Sequence, residues 1–214
     1  MQLALELEAK TRGGRREGAG RPRTSDRVSH APRVHKGRFP VHVTVKVLKG
    51  VASLCGQQLG TLVCRHFRDV LGRHPGFRVV EFVVLSNHIH LVVEADSQEA
   101  LTHGMQGLLS GLARKINNRL GRGGKVWLDR YHAKELTNPT MTRNAVRYVL
   151  QNRAHHGGTP GIDPHSSATW SDAFSDHAPA THGSPVARPT TFLLLHGWHE
   201  LAGGKLSTHE RPAK

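Results

Sequence analysis

The sequence predicts an α+β protein with a ferredoxin-like (RRM-like) split βαβ sheet, helices on one face, and an additional C-terminal helix. Three observations predict it. Residues 41–48, VHVTVKVL, alternate apolar β-branched residues with polar ones, the period of a strand buried on one face. Further on, FRVVEFVVLS and HIHLVVEA form two apolar runs separated by a short turn at Ser86-Asn87, which reads as a hairpin. Each of these strand units is followed by a segment of helical spacing, so the order β-α-β-β-α-β-α emerges, whose first six elements are the split βαβ pattern.

The elements follow in sequence. Residues 52–73 place Leu54, Leu59, Leu62, Val63, Phe67, Val70 and Leu71 on one stripe of an amphipathic helix. A second helix over 97–120 carries Leu101, Met105, Leu108, Leu109, Leu112, Ile116 and Leu120, and its glycine-rich end RLGRGGK fits helix termination. VWLDRYHAKEL is a strand or extended segment. MTRNAVRYVLQNRAHHG is the last helix, with Thr140 or Thr142 as N-cap and Gly157 beyond its end.

Charge narrows the function class. The 214 residues hold 30 Lys+Arg against 16 Asp+Glu, a formal net charge of +14. That surplus favours a polyanionic partner, and nucleic acid fits better than a membrane surface. No apolar run approaches the roughly 20 residues that span a bilayer. The start MQLALELEAK carries acids within a short apolar stretch, unlike a secretory signal. Cys55 and Cys64, nine residues apart on the first helix, point to opposite faces and read as reduced thiols of a cytoplasmic protein without a functional role.

Three regions are expected. Residues 1–38 form a basic flexible tail in which Gly20-Arg21-Pro22 is AT-hook-like; Arg21 either enters an A·T minor groove or belongs to a solvated tail that clings to phosphate. Residues 39–157 are the folded domain. Residues 158–214 are a Gly-, Pro-, Ser-, His- and Thr-rich extension, partly disordered, in which TFLLLHGW at 191–198 is a short docking helix.

Two patterns carry chemistry. His88 and His90 lie at i and i+2 of a strand and project side by side, while Ile89 faces the core. Two imidazoles so placed make half a site for a divalent metal. With 17 histidines in the chain, HxH alone suits two surface histidines equally. Its place on a central apolar hairpin implies a partner, because a buried polar group without one is costly. Tyr148 and Asn152, at i and i+4 of the last helix, share one face about 6 Å apart at Cβ; taken alone, they also fit a half-buried aromatic and a surface amide.

VLSNHIHLVVE resembles the (P/S)-N-H-hydrophobic-H-hydrophobic signature of the single-tyrosine HUH transposases of insertion sequences. It is closer still to that of the REP-associated tyrosine transposases. RYVLQN at 147–152 is similar to their R-Y-hydrophobic-x-x-N, and VWLDRYHAKEL to their W-x-x-R-aromatic segment. The resemblance spans roughly residues 38–175 and implies a single-tyrosine nuclease over 39–157. It makes Tyr148 the nucleophile that forms a 5′-phosphotyrosine and Asn152 the third ligand, beside His88 and His90, of Mg²⁺ or Mn²⁺. It implies a DNA transposase acting on single-stranded or hairpin DNA in the bacterial cytoplasm at the nucleoid, as monomer or homodimer, without organic cofactor. The chain departs from the family at Asn152-Arg153-Ala154-His155-His156-Gly157, where N-P-V-R-A-G is usual, so the helix is free to continue and the extra histidines are candidate competitors for the metal.

Arg114, Lys115, Arg119, Arg122, Lys125 and Arg130 are candidate phosphate contacts, each equally an ordinary solvated charge. His132 is either a phosphate-orienting or a plain surface residue. The rival readings are a non-catalytic RRM-like binder stacking bases on Phe77 and Phe82, a water-using phosphodiesterase, and an inactivated transposase acting as a repressor.

Overall fold

A computed structural model describes residues 34–152 and 160–210; the Arg21 motif and the stretch from Arg153 to Thr159 lie outside them. The chain divides into Met1–Pro32 and Arg33–Lys214, and everything below concerns the second unit. Four strands, β1 (Val41–Lys46), β2 (Phe77–Val84), β3 (His88–Ala95) and β4 (His132–Glu135), form a sheet in the order β2-β3-β1-β4, antiparallel throughout. With α1 (Gln57–Val70) after β1, α2 (Gln98–Arg119) after the hairpin and α3 (Pro139–Leu150) after β4, this is the expected mixed architecture.

Strand alternation splits the sheet into two faces. Val41, Val43 and Val45 are buried against α1 and α2, in one core with Phe67, Phe82, Leu91, Leu108 and Leu112; the Phe67 and Phe82 rings sit 4.6 Å apart. At Gly104 a Cβ would lie 2.1 Å from the Phe77 ring, so glycine alone lets α2 approach the sheet this closely. Ser97 caps α2 by accepting a hydrogen bond from Ala100 N.

Three local expectations change. The first helix begins at Gln57 rather than near Ala52, and Leu71 is exposed because the helix has already ended at Val70. The N-cap of α3 is Asn138, whose Oδ1 accepts from Met141 N at 2.9 Å. Pro139 then takes the first helical position, where a missing N–H costs nothing; Thr142 instead lies buried and donates to Asn138 O. Within VWLDRYHAKEL only His132–Glu135 is strand, while Trp127 meets Val47 in an isolated bridge.

The opposite face carries α3 and residues 160–210. Val80, Val83 and Val92 of the sheet pack with Val146, Val149, Phe174, Trp198 and Leu206. Residues 191–198 form a π-helical turn, Leu193–Gly197, running into the short helix Trp198–Glu200. Two buried carboxylates of the sheet bind this layer. Glu81 accepts hydrogen bonds from the Ser167 and Ser171 hydroxyls; Glu94 accepts from the backbone and hydroxyl groups of Thr190 and Thr191. Arg143, Arg147 and Gln151, one row along α3, reach the carbonyls of Gly203 and Gly204, the Glu210 carboxylate and the Ser207 carbonyl. No described helix is long and apolar enough to cross a membrane.

Candidate active site

The polar residues of β1 are the starting point. Since Val41, Val43 and Val45 face α1 and α2, His42, Thr44 and Lys46 face the other way. The β1–β3 register sets Thr44 opposite His90 and Lys46 opposite His88, so one row of polar side chains crosses the sheet beneath α3. The His88 and His90 rings meet edge to face at 4.7 Å. From above, Tyr148 lays its ring edge to face on His90 at 4.9 Å and on His42 at 5.9 Å. The phenol and both imidazoles thus come from one chain.

Each imidazole is oriented from behind. His90 Nδ1 shares a hydrogen bond with Thr44 Oγ1 at 3.0 Å and lies 3.3 Å from His42 Nε2. Burial, then the charges of His132 and Lys134, lower the His42 pKa from 6.5 to about 4. His42 is therefore neutral at pH 7, and its Nε2 is able to accept a hydrogen bond from His90 Nδ1–H. His88 Nδ1 donates to Asn87 Oδ1 at 2.6 Å. Such partners fix which nitrogen a ligating histidine presents.

Asn152 is the odd member. Its side chain is fully buried, yet neither its amide oxygen nor its amide nitrogen has a hydrogen-bond partner among the described residues. An orphaned buried amide costs roughly 1–3 kcal/mol and calls for an explanation. It stands one helical turn after Tyr148, and a ligand for its oxygen is the simplest one. Among the described residues no three His, Cys, Asp or Glu side chains gather as a metal cage; the donor types at hand are the two imidazoles and an amide one helical turn after the tyrosine. Imidazole plus an oxygen donor suits Mn²⁺ and related divalent ions, and Mg²⁺ where waters and phosphate supply further oxygens.

The other nominated residues scatter. Arg114, Lys115 and Arg119 ride on α2, across the sheet from the histidines, and Lys115 pairs with Asp69 at 2.6 Å. Arg122 and Lys125 bond to the carbonyls of Lys125 and Leu128 in the loop after α2, and Arg130 is exposed before β4. Among the described residues, β1 and β4 bring the lysines Lys46 and Lys134 to the histidine face, with His132 beside them; His132 and Lys134 lie opposite Thr44 and His42. His42, Thr44, Lys46 and Lys134 were not singled out from the sequence. The signal existed in the period-2 pattern of VHVTVK, whose polar positions share the face of the HxH pair once β3 lies beside β1. Phe77 and Phe82 are buried at 7% and 0% exposure in the α1/α2 core, which removes the stacking platform of an RRM-like binder.

A family model described as an IS200-like transposase matches residues 41–152. No curated protein sequence matches. Among solved structures, a REP-associated tyrosine transposase bound to a REP hairpin is similar in fold, with TM-score 0.55 and 19% identity, covering 77% of this chain and 100% of that one.

Proposed function

This chain belongs to the IS200-like transposase family, and from that premise we propose that it cuts and rejoins single-stranded or hairpin DNA through Tyr148. The observation that carries the reading is the Tyr148 ring resting on His90, with His88 beside it and the orphaned Asn152 amide one turn further along the chain. In the proposed step the Tyr148 oxygen attacks the scissile phosphorus and loses its proton. The new O–P bond replaces the bond to the 3′-oxygen, leaving a 5′-phosphotyrosine and a 3′-hydroxyl that gains a proton. A different 3′-hydroxyl reverses the step and joins the strand to a new end.

His88, His90 and Asn152 would hold a divalent ion, Mg²⁺ or Mn²⁺, which when bound supplies Lewis acidity at a phosphate oxygen. Thr44, His42 and Asn87 are positioning residues that keep the two rings turned towards that place. Lys46 and Lys134 give the same face a positive field and suit a polyanionic strand. Because nucleophile and imidazoles belong to one chain, a monomer suffices. The relative's REP hairpin makes a hairpin substrate the first to try.

The test incubates the protein with labelled hairpin oligonucleotides and Mn²⁺ and resolves it on a denaturing gel. A protein–DNA adduct is expected, lost in Tyr148→Phe, in His88→Ala and with EDTA. Cleavage that survives Tyr148→Phe would favour a water-using phosphodiesterase. Binding without any adduct in the unmodified protein would favour a repressor derived from a transposase.

A further inference from the structure

Beside His88, where β1 leaves the sheet, the chain turns through Val47–Val51 and lines a half-open cavity of about 570 Å³. Its walls are tied down by backbone hydrogen bonds: Val47 N donates to Asn87 O, Leu48 N to Val126 O, and Leu128 N to Lys46 O. Gly50, at φ +92°, allows the sharp turn. The walls are mainly apolar, from Val47, Val51 and Leu128, while Lys46 and Lys49 stand exposed at the margin. Neither lysine forms an ion pair among the described residues. Lys46 lies directly across the ladder from His88.

We propose that this cavity holds the nucleotide next to the scissile phosphate, with its base inside and the adjoining backbone phosphate on Lys46 and Lys49. The inference rests on the reading of the neighbouring histidines as a DNA-cleaving site. Three features carry it. The volume falls in the roughly 300–1,000 Å³ range of small-molecule sites. The combination of apolar interior and cationic margin matches a nucleotide, flat and apolar on the base faces and anionic on the backbone. The cavity also shares His88 and Asn87 with the active site, so its occupant is continuous with a strand lying on the catalytic face. Its uncharged polar side chains are Asn87 and His88, joined to each other through Asn87 Oδ1 and His88 Nδ1. The cavity therefore grips a base mainly by shape and apolar contact, and its role is to set the strand's register at the nucleophile.

The test uses the full chain, fluorescein-labelled oligothymidine, and an abasic oligomer of equal length. Anisotropy is read in EDTA, so that neither metal nor cleavage contributes. Lys46→Ala combined with Lys49→Ala should lower the slope of log affinity against log salt by about 1.4, two contacts at about 0.7 each on a single strand, and weaken both oligomers alike. Val51→Trp fills the cavity without altering charge. It should weaken oligothymidine about five- to tenfold, within the range of one lost base contact, and leave the abasic oligomer unchanged. An unchanged salt slope, or an unaltered ratio between the two oligomers in Val51→Trp, overturns the proposal. Should Val51→Trp fail to fold, Leu128→Trp at the exposed wall replaces it. Failure of the nuclease reading would show as a missing adduct on the gel, a result independent of these affinities.

Discussion

The two faces of the sheet are built from alternate residues of the same strands, yet they hold opposite kinds of chemistry. Towards α1 and α2, β1 contributes Val41, Val43 and Val45 to a continuous apolar core. Towards α3 it contributes His42, Thr44 and Lys46, which meet the histidines of β3. The first face is satisfied by its own packing. The second contains a buried amide without a partner among the described residues, imidazoles oriented from behind, and two carboxylates bound by a layer of serines and threonines. The comparison teaches that β1 supplies fold and site in a period of two residues, so a substitution's effect follows from its parity. Even positions should alter chemistry and odd ones stability.

The sharpest contrast comes from Tyr148→Phe. On the order of a thousandfold or more of the adduct-forming rate should vanish, as when a nucleophile is removed, with thermal unfolding nearly unchanged. On the other face Leu112→Ala should cost about 2–5 kcal/mol in denaturant titration through the cavity it leaves, and lower adduct yield only as far as it unfolds the protein. If the two substitutions had similar profiles, the division between faces would fail.

Asn152→Leu is a subtler break. It removes an orphaned buried amide for an apolar group of similar size, so stability should rise by about 1 kcal/mol while adduct formation is lost. A drop in stability would mean that the amide has a structural partner. Glu81 lies on the site face but away from the histidines. Burial raises its pKa from 4.5 to about 7, against the pull of Ser167 and Ser171. Its folded form therefore keeps a proton that the unfolded form has released, and stability is lost as pH rises from about 4.5 to about 7. The loss amounts to about 3 kcal/mol at most. Subtracting the pH–stability curve of Glu81→Gln from that of the unmodified protein should isolate that fall; a difference rising with pH would refute the assignment.

The smallest effect expected is that of Thr44→Val, which keeps shape and removes the bond to His90 Nδ1. It should weaken Mn²⁺ affinity by roughly 10–100-fold, the range for partners of ligating histidines, with little change in unfolding. Unaltered affinity would reduce Thr44 to a packing residue.

Legibility in the sequence followed the range of the interactions. α2 and the β2–β3 hairpin were readable because their periodicity is local and uninterrupted, and His88 and His90 stood out because parity within one strand places them together. His42 and Thr44 were hidden, since their role depends on β3 inserting between β1 and β2, a pairing fixed by contacts 46 and 48 residues apart. α3 starts two to four residues before the two threonines that could cap it, because Asn138-Pro139, itself a strong start signal, opens the helix first. The clasp of Glu81 and Glu94 on Ser167, Ser171, Thr190 and Thr191 leaves no periodic trace, because hydrogen bonds from irregular backbone do the binding.

The central claim is that the phenol over the paired imidazoles is the group that becomes joined to DNA. The most direct measurement is mass spectrometry of the protease-digested adduct formed with hairpin DNA and Mn²⁺. Of the two tyrosines in the chain, the account predicts nucleotide mass on the peptide bearing Tyr148. The same mass on the peptide bearing Tyr131, or cleaved DNA with no modified peptide at all, would contradict it.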